Sequence, residues 1–368
     1  KINEERNRIR KMISYDGWDR EYKQHKSAYL DIFDSFMSQA NYENNEEFEK
    51  YFANFIGRKH VVSVASATDA LHFTLQAYGI TDNDEVLVTD FSWISSSACV
   101  NMVGAIPVFC DIDINTYHID VESVKRMITP NTKAVVYPHL FGSMSDTSEL
   151  EKFCKEKKII FIEDSAQSLG SSLNGQKAGT IGDTSVFSFN SNKVIAGVNG
   201  GGVVMTDDEE LAKRVKMIRR HGKNKDFSML GYNSRMYVLN AMIIKQRLKF
   251  YKENQLVRQN IANIYNEAFA NLPLKIQVNG NGLNHNYHKY VIRTKDKDTR
   301  KMLKNKLNAS IHYEIPLSKN SMYNNMNMRK DDCVYSKIAS DTVLSLPVHA
   351  WLEEHEVNHV IDTVKNAL

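Results

Sequence analysis

Short apolar runs rich in valine and isoleucine recur along the first two thirds of the chain: "HVVSVAS", "DEVLVTD", "IPVFCDID", "TKAVVYPH", "KIIFIEDS", "TSVFSF" and "GGVVMTD". They are almost continuously apolar rather than alternating, the mark of strands covered on both faces. Between the first five lie stretches with apolar residues at helical spacing: "DALHFTLQAYG", "SSSACVNMVG", "VESVKRMI" and "SELEKFCKEK". Strand alternating with helix predicts an α/β fold. Its main part is a large, doubly wound, mostly parallel sheet domain. Upstream, "YLDIFDSFM" puts Tyr29, Ile32, Phe33 and Phe36 at helical spacing, and "EEFEKYFANFIG" predicts a helix ended by Gly57. From Val238 the pattern turns helical again. "HKYVIRT" and "DTVLSLPVH" then read as strands among helices, a smaller α+β C-terminal domain. The expected division is an N-terminal helical segment at 1–46 packing on the small domain, a large domain at 47–240 and the small domain at 241–368.

Composition narrows the function classes. A chain of 368 residues can bury a sizeable core, and a net charge of +3 gives no reason to expect nucleic acid as partner. No run of about 18 apolar residues predicts a membrane span, and no charged-then-apolar signal segment opens the sequence. Cys99, Cys110, Cys154 and Cys333 are far apart and form no CxxC pair. That argues for buried free thiols in a reducing cytoplasm and against a zinc site or disulfide framework.

In parallel sheets, ligands bind beyond the carboxyl ends of the strands. The segments to inspect are therefore "ASATDA" (65–70), "TDFSWISSS" (89–97), "PHLFG" (138–142), "EDSAQS" (163–168) and "SFNSNK" (188–193). The last leads into "VIAGVNGGG", a lysine ahead of glycines. A P-loop needs the opposite order, and a dinucleotide fingerprint needs GxGxxG opening a helix; neither fits here. Taken alone, Gly200, Gly201 and Gly202 read as a turn. However, Asp164 ends an apolar strand and Lys193 follows in a polar turn. An acid and a lysine so placed suit a pyridoxal phosphate enzyme. The amine forms a Schiff base with the aldehyde, and the acid keeps the ring nitrogen protonated so that the ring accepts electrons.

The combination "EDSAQ…GDTSVFSF…NK", with "GGVVMTDD", "GYNSR", "HKYVIR", "HYEIPL" and "LSLPVHAWLEEHEVNHVI", resembles one family. It is the DegT/DnrJ/EryC1/StrS family of pyridoxal phosphate-dependent nucleotide-sugar aminotransferases, of fold type I in the aspartate aminotransferase superfamily. The likeness covers about residues 48 to 365. It implies pyridoxal 5'-phosphate as cofactor, with pyridoxamine phosphate as intermediate, and Lys193 as the reacting amine. By the same resemblance Asp164 pairs with the ring nitrogen, Gln167 bonds the ring hydroxyl and Trp93 lies against the ring face. Ala67 and Thr68 offer backbone N–H groups, and Ser188 its hydroxyl, to the phosphate. Asn233 reaches the phosphate of the other subunit, which implies a homodimer with shared active sites.

"IHYEIPLSKNSMY" resembles the family's substrate motif, with Glu314 in place of a proline, and makes His312 and Tyr313 candidates for the substrate pocket. The implied substrates are a nucleotide-linked keto-deoxy-sugar, 3-keto favoured over 4-keto, and L-glutamate. Asn199 and Tyr237 also depart from the family pattern, which normally has acids there. One at a time these residues have plain readings: a solvated lysine, a turn acid, a packed tryptophan, a turn asparagine, a tyrosine packed beside Ile315. It is their order along one template that favours the enzyme. Amination of a non-nucleotide or small phosphorylated ketone, a sugar dehydratase and a non-catalytic regulator remain as alternatives. Dehydrating relatives carry histidine where Lys193 stands, so the lysine favours transamination.

Overall fold

The structure is a computed structural model and describes residues 13, 16–38, 45–307 and 309–368. Fourteen strands follow in chain order: β1 (His60–Val64), β2 (Glu85–Thr89), β3 (Ile106–Cys110), β4 (Thr132–Pro138), β5 (Ile160–Asp164), β6 (Ser172–Leu173), β7 (Gln176–Lys177), β8 (Thr184–Ser188), β9 (Gly202–Thr206), β10 (Lys275–Ile276), β11 (Leu283–Asn284), β12 (Tyr290–Arg293), β13 (Arg329–Lys330) and β14 (Val343–Leu346). Eight form the main sheet in the order β1-β9-β8-β5-β4-β2-β3-β13. It is parallel except for β9, which runs antiparallel to both β1 and β8.

Continuous hydrophobicity in these strands follows from cover on both faces. Val86 and Val88 join a core with Leu71, Phe73 and Val100 on one side, while Leu87 between them packs with Val124 and Leu150 on the other. The helices supplying these faces, Ala67–Ala77, Ser95–Met102, Val121–Met127 and Ser148–Lys157, match the predicted segments. A third core packs Phe48, Phe52 and Ile56 against Phe187, Val203 and Met205. Burying each such side chain contributes roughly 1.5–3 kcal/mol before chain entropy is counted. Helix Glu46–Ile56 ends at Gly57 in the left-handed region (φ 106°), a conformation that suits glycine.

A smaller antiparallel sheet, β10-β12-β14, packs Tyr290, Ile292 and Leu344 against Tyr265, Phe269, Val360 and Val364. The chain also returns to the main sheet late: β13 pairs with β3, and Leu317, Tyr323 and Cys333 pack into the large core. Helix Trp18–Ser38 lies along helix Val238–Lys249, where Arg247 bonds Glu21 at 2.6 Å. Arg20 reaches the carbonyl of Trp351 and the Glu356 carboxylate, each at 2.6 Å. Leu30 and Phe33 of that helix remain about half exposed. All four cysteines are buried free thiols. Among the described residues no helix is long and apolar enough to cross a membrane.

Candidate active site

Beyond the carboxyl ends of β1, β2, β5 and β8 lies a cavity of about 210 Å³, closed from the small-sheet side by residues 288–289 and 312–313. Nine of the ten residues singled out from sequence line it: Ala67, Thr68, Trp93, Asp164, Gln167, Ser188, Lys193, His312 and Tyr313. The tenth, Asn233, is exposed and lies outside it, bridged to Arg220. The third inspected segment, 138–142, stays out of the wall: its Leu140 and Phe141 are fully buried.

Local sequence explains each placement. Ser66 caps helix Ala67–Ala77 by accepting from Asp69 N–H at 3.0 Å. Ala67 and Thr68 thereby fall in the first turn, whose N–H groups have no partner within the helix and favour an anion. The Thr68 and Ser95 hydroxyls meet at 2.8 Å beside it. A Cβ on Gly202 would lie 2.5 Å from Ala67 N, so only glycine lets β9 pass this close to the helix start. Gly200 and Gly201, with φ of 74° and 117°, make the turn that brings the chain there, and both line the cavity. Asn240 holds that turn by accepting from Val198 N–H at 2.7 Å and donating to Gly200 O at 2.6 Å.

Asp164, the last residue of β5, accepts from Ala166 N–H at 3.1 Å. Burial pushes its carboxyl above the usual range, against the pull of that N–H and of the Lys193 charge. Burial likewise lowers the Lys193 amine to about 8, with Asp164 opposing. The pair thus combines an acid with an amine that is partly unprotonated near neutrality. Gln167 accepts from Phe141 N–H at 2.8 Å and donates to the Tyr313 hydroxyl at 2.9 Å, which leaves one amide hydrogen for a ligand. The Tyr313 phenol is pushed up by burial; its ring packs edge-on to Phe91 and tilted to Trp93, at 5.8 and 6.2 Å. His312 pairs with Ser345 Oγ at 2.8 Å. Burial, then the charges of Lys289 and Lys193, bring it down to about 3, so the ring stays neutral.

These residues fit pyridoxal phosphate. A helix start flanked by hydroxyls suits the phosphate, and among the described residues Asp164 is the only carboxylate lining the cavity. The Trp93 ring, tilted against Tyr313 yet left 59% exposed, offers a flat face to the cavity. Trp93→Ala is expected to weaken cofactor affinity by up to about tenfold, the worth of one ring stack, with folding unchanged. Titrating the cofactor into the apo-protein checks this.

Sequence reasoning passed over Lys289 and His288, and Ser92, Ser95, Ser96, Asn190 and Asn192 in segments it had marked. The departures from pattern have local partners. Asn199 is exposed, with its N–H 3.4 Å from Asn240 Oδ1. Glu314 pairs with Arg300 at 3.6 Å. Tyr237 precedes helix Val238–Lys249 and is 69% exposed. Among the described residues no group of three His, Cys, Asp or Glu side chains is placed to hold a metal ion.

A mostly parallel sheet with one reversed strand, and an acid at a strand end sharing a cavity with a lysine, match the pyridoxal phosphate-dependent transferases of fold type I. The chain belongs to the DegT/DnrJ/EryC1/StrS aminotransferase family, whose model matches residues 20–365, and it is an aminotransferase. A relative from Aneurinibacillus thermoaerophilus, dTDP-3-amino-3,6-dideoxy-alpha-D-galactopyranose transaminase, is 32% identical over 323 residues, which are 87% of this chain and 88% of the relative. The solved structure of DesV from S. venezuelae superposes with a TM-score of 0.91 at 27% identity, covering 96% of this chain and 98% of that one. NtdA from Bacillus subtilis, solved with bound cofactor PMP, gives a TM-score of 0.85 at 25% identity over 94% and 82% of the two chains.

Proposed function

We propose that this aminotransferase converts a nucleotide-linked keto-deoxy-sugar, 3-keto in preference to 4-keto, to the amino sugar with L-glutamate as donor. The carrying observation is the meeting of Lys193, Asp164 and the start of helix Ala67–Ala77 in one cavity. The sugar class is supported by the relative named for a 3-amino sugar on dTDP.

When bound, the cofactor supplies an electron sink for the carbon that loses or gains the amine. The protein does the rest. Ala67 and Thr68 N–H groups and the Ser188 hydroxyl would hold its phosphate, Trp93 would cover a face, Gln167 would bond the ring hydroxyl and Asp164 would keep the ring nitrogen charged. The Lys193 amine, brought down to about 8, takes a proton from the donor carbon and returns it near neutral pH. His312 and Tyr313 face the sugar. We place the enzyme in the cytoplasm, as a homodimer in which Asn233 completes the partner's phosphate site, and in the making of surface polysaccharide or glycoconjugate.

The test is a panel of nucleotide-linked 3-keto and 4-keto sugars and small phosphorylated ketones, each with glutamate, read by mass spectrometry of the amine formed. The expected result is a kcat/KM at least about tenfold higher for a nucleotide-linked 3-keto sugar, the discrimination of one hydrogen-bonded group. Preferential amination of a small phosphorylated ketone, or ammonia release without amine product, overturns the reading.

A further inference from the structure

Lys289 stands just before β12, at the seam between the main cavity and a second, smaller one of about 50 Å³ bounded by Ser345, Leu346 and Pro347. It is half-buried, and the charged groups acting on it are the cations Lys193 and Arg258, both of which disfavour its charge. His288 and His312, the other titratable groups beside it, are held neutral by burial. Asp164, among the described residues the only carboxylate lining the main cavity, is coupled to Lys193 rather than to Lys289. Among the described residues no anion stands beside this partly desolvated ammonium, a costly arrangement, so its retention in a reaction cavity points to a ligand that supplies the anion. That anion is not the cofactor phosphate. The helix start and hydroxyls suited to phosphate belong to the segments after β1, β2 and β8, whereas Lys289 enters from the small sheet with His312.

We infer that Lys289 binds a carboxylate of a reactant on the small-sheet side of the cavity. The inference rests on the transaminase reading above, in which two reactants can bring a carboxylate: the amino-acid donor and a keto sugar oxidised to an acid. A lysine ammonium recognises either as a charge-assisted hydrogen-bond donor.

The experiment is calorimetric titration of the holoenzyme, wild type, Lys289→Met and Lys289→Arg, with three unreactive probes: glutarate, UDP-glucuronate and UDP-glucose. The methionine variant is expected to bind a carboxylate probe about tenfold or more weakly, the worth of a hydrogen bond to a charged group, with UDP-glucose unchanged. Loss confined to glutarate assigns the donor, loss confined to UDP-glucuronate assigns an acidic sugar, and loss of both assigns one carboxylate site used in turn. The arginine variant restores the affinity. Burial and the neighbouring cations bring Lys289 to about 7, so carboxylate binding at pH 8 draws a proton onto it. Titrations in buffers of different ionisation enthalpy detect that uptake in the wild type and not in Lys289→Arg. No binding of either acid to the wild type, unchanged binding to Lys289→Met, or equal loss for UDP-glucose overturns the inference. The bound cofactor's yellow absorbance, if retained in every variant, shows that such a failure leaves the transaminase reading standing.

Discussion

Lys193→Ala is expected to fold, to bind the cofactor without a covalent link and to lose transaminase activity by about 10³-fold or more, since the proton-transferring amine is gone. The cavity holds two lysines, so the assignment is discriminating. Burial brings both down, Lys193 to about 8 and Lys289 to about 7, and Lys289 alone would be the better nucleophile at neutral pH. What selects Lys193 is position: both lysines line the cavity with Asp164, but the charge of Asp164, which is to face the ring nitrogen, acts on Lys193 and not on Lys289. Borohydride treatment of the holoenzyme followed by peptide mapping should find the cofactor fixed on Lys193. Fixation on Lys289, or full activity in Lys193→Ala, would count against the assignment.

The same amine gives a pH signature. Covalent attachment needs the unprotonated amine, so the rate of cofactor uptake by the apo-protein rises with pH through about 8. Stability follows a related sign. The folded-state value lies below the ordinary 10.5, so between about 8 and 10.5 the unfolded chain binds more protons. The contribution of this residue to apo-protein stability therefore rises with pH across that window and is absent in Lys193→Ala.

Much of this architecture is written locally. Val86, Leu87 and Val88 are apolar in succession because each meets a helix layer, on alternating sides. Asp164 and Lys193 could be found because a strand end and the polar turn after another strand are recognisable places in a parallel sheet. The direction of β9 was not legible. Val203, Val204 and Met205 are buried on both faces whichever way the strand runs, and the reversal is made by the whole irregular connection 189–201 between β8 and β9. Nor was β13, two charged residues whose pairing with β3 depends on a chain that returns from the small sheet. Lys289 was hidden for a similar reason. A lysine ahead of a strand is normally solvated, and only the docking of β12 against the main body turns it into a cavity wall. Phe141 shows the opposite case. Its segment sits at a strand end like the others, yet its side chain sinks into the core and only its backbone serves the site, the N–H through Gln167 and the carbonyl by accepting from Lys289 N–H at 3.1 Å.

Asp164→Asn is expected to lower kcat by about 10²- to 10³-fold while changing cofactor affinity by no more than about tenfold. The two readouts separate because the residue does two things. As a hydrogen-bonding group it accepts from Ala166 N–H at 3.1 Å and fills the end of β5, and asparagine can keep that geometry. As a charge it is expensive here. Burial alone drives the carboxyl toward its neutral form, and the Ala166 N–H and the Lys193 ammonium only partly offset this. A protonated ring nitrogen would complete the compensation, and the ionised carboxylate would in turn hold that proton in place. Asparagine would remove this reciprocal stabilisation, so the nitrogen would lose its proton and the ring its capacity to accept electrons, while the helix start at Ala67 and the Trp93 face would still be there to hold the cofactor. Lys193 should respond as well. Its amine loses the only neighbour that favours its charged form, so the pH at which cofactor uptake accelerates is expected to fall below about 8 in Asp164→Asn. An unchanged kcat with a normal uptake profile would return Asp164 to the role of a turn acid.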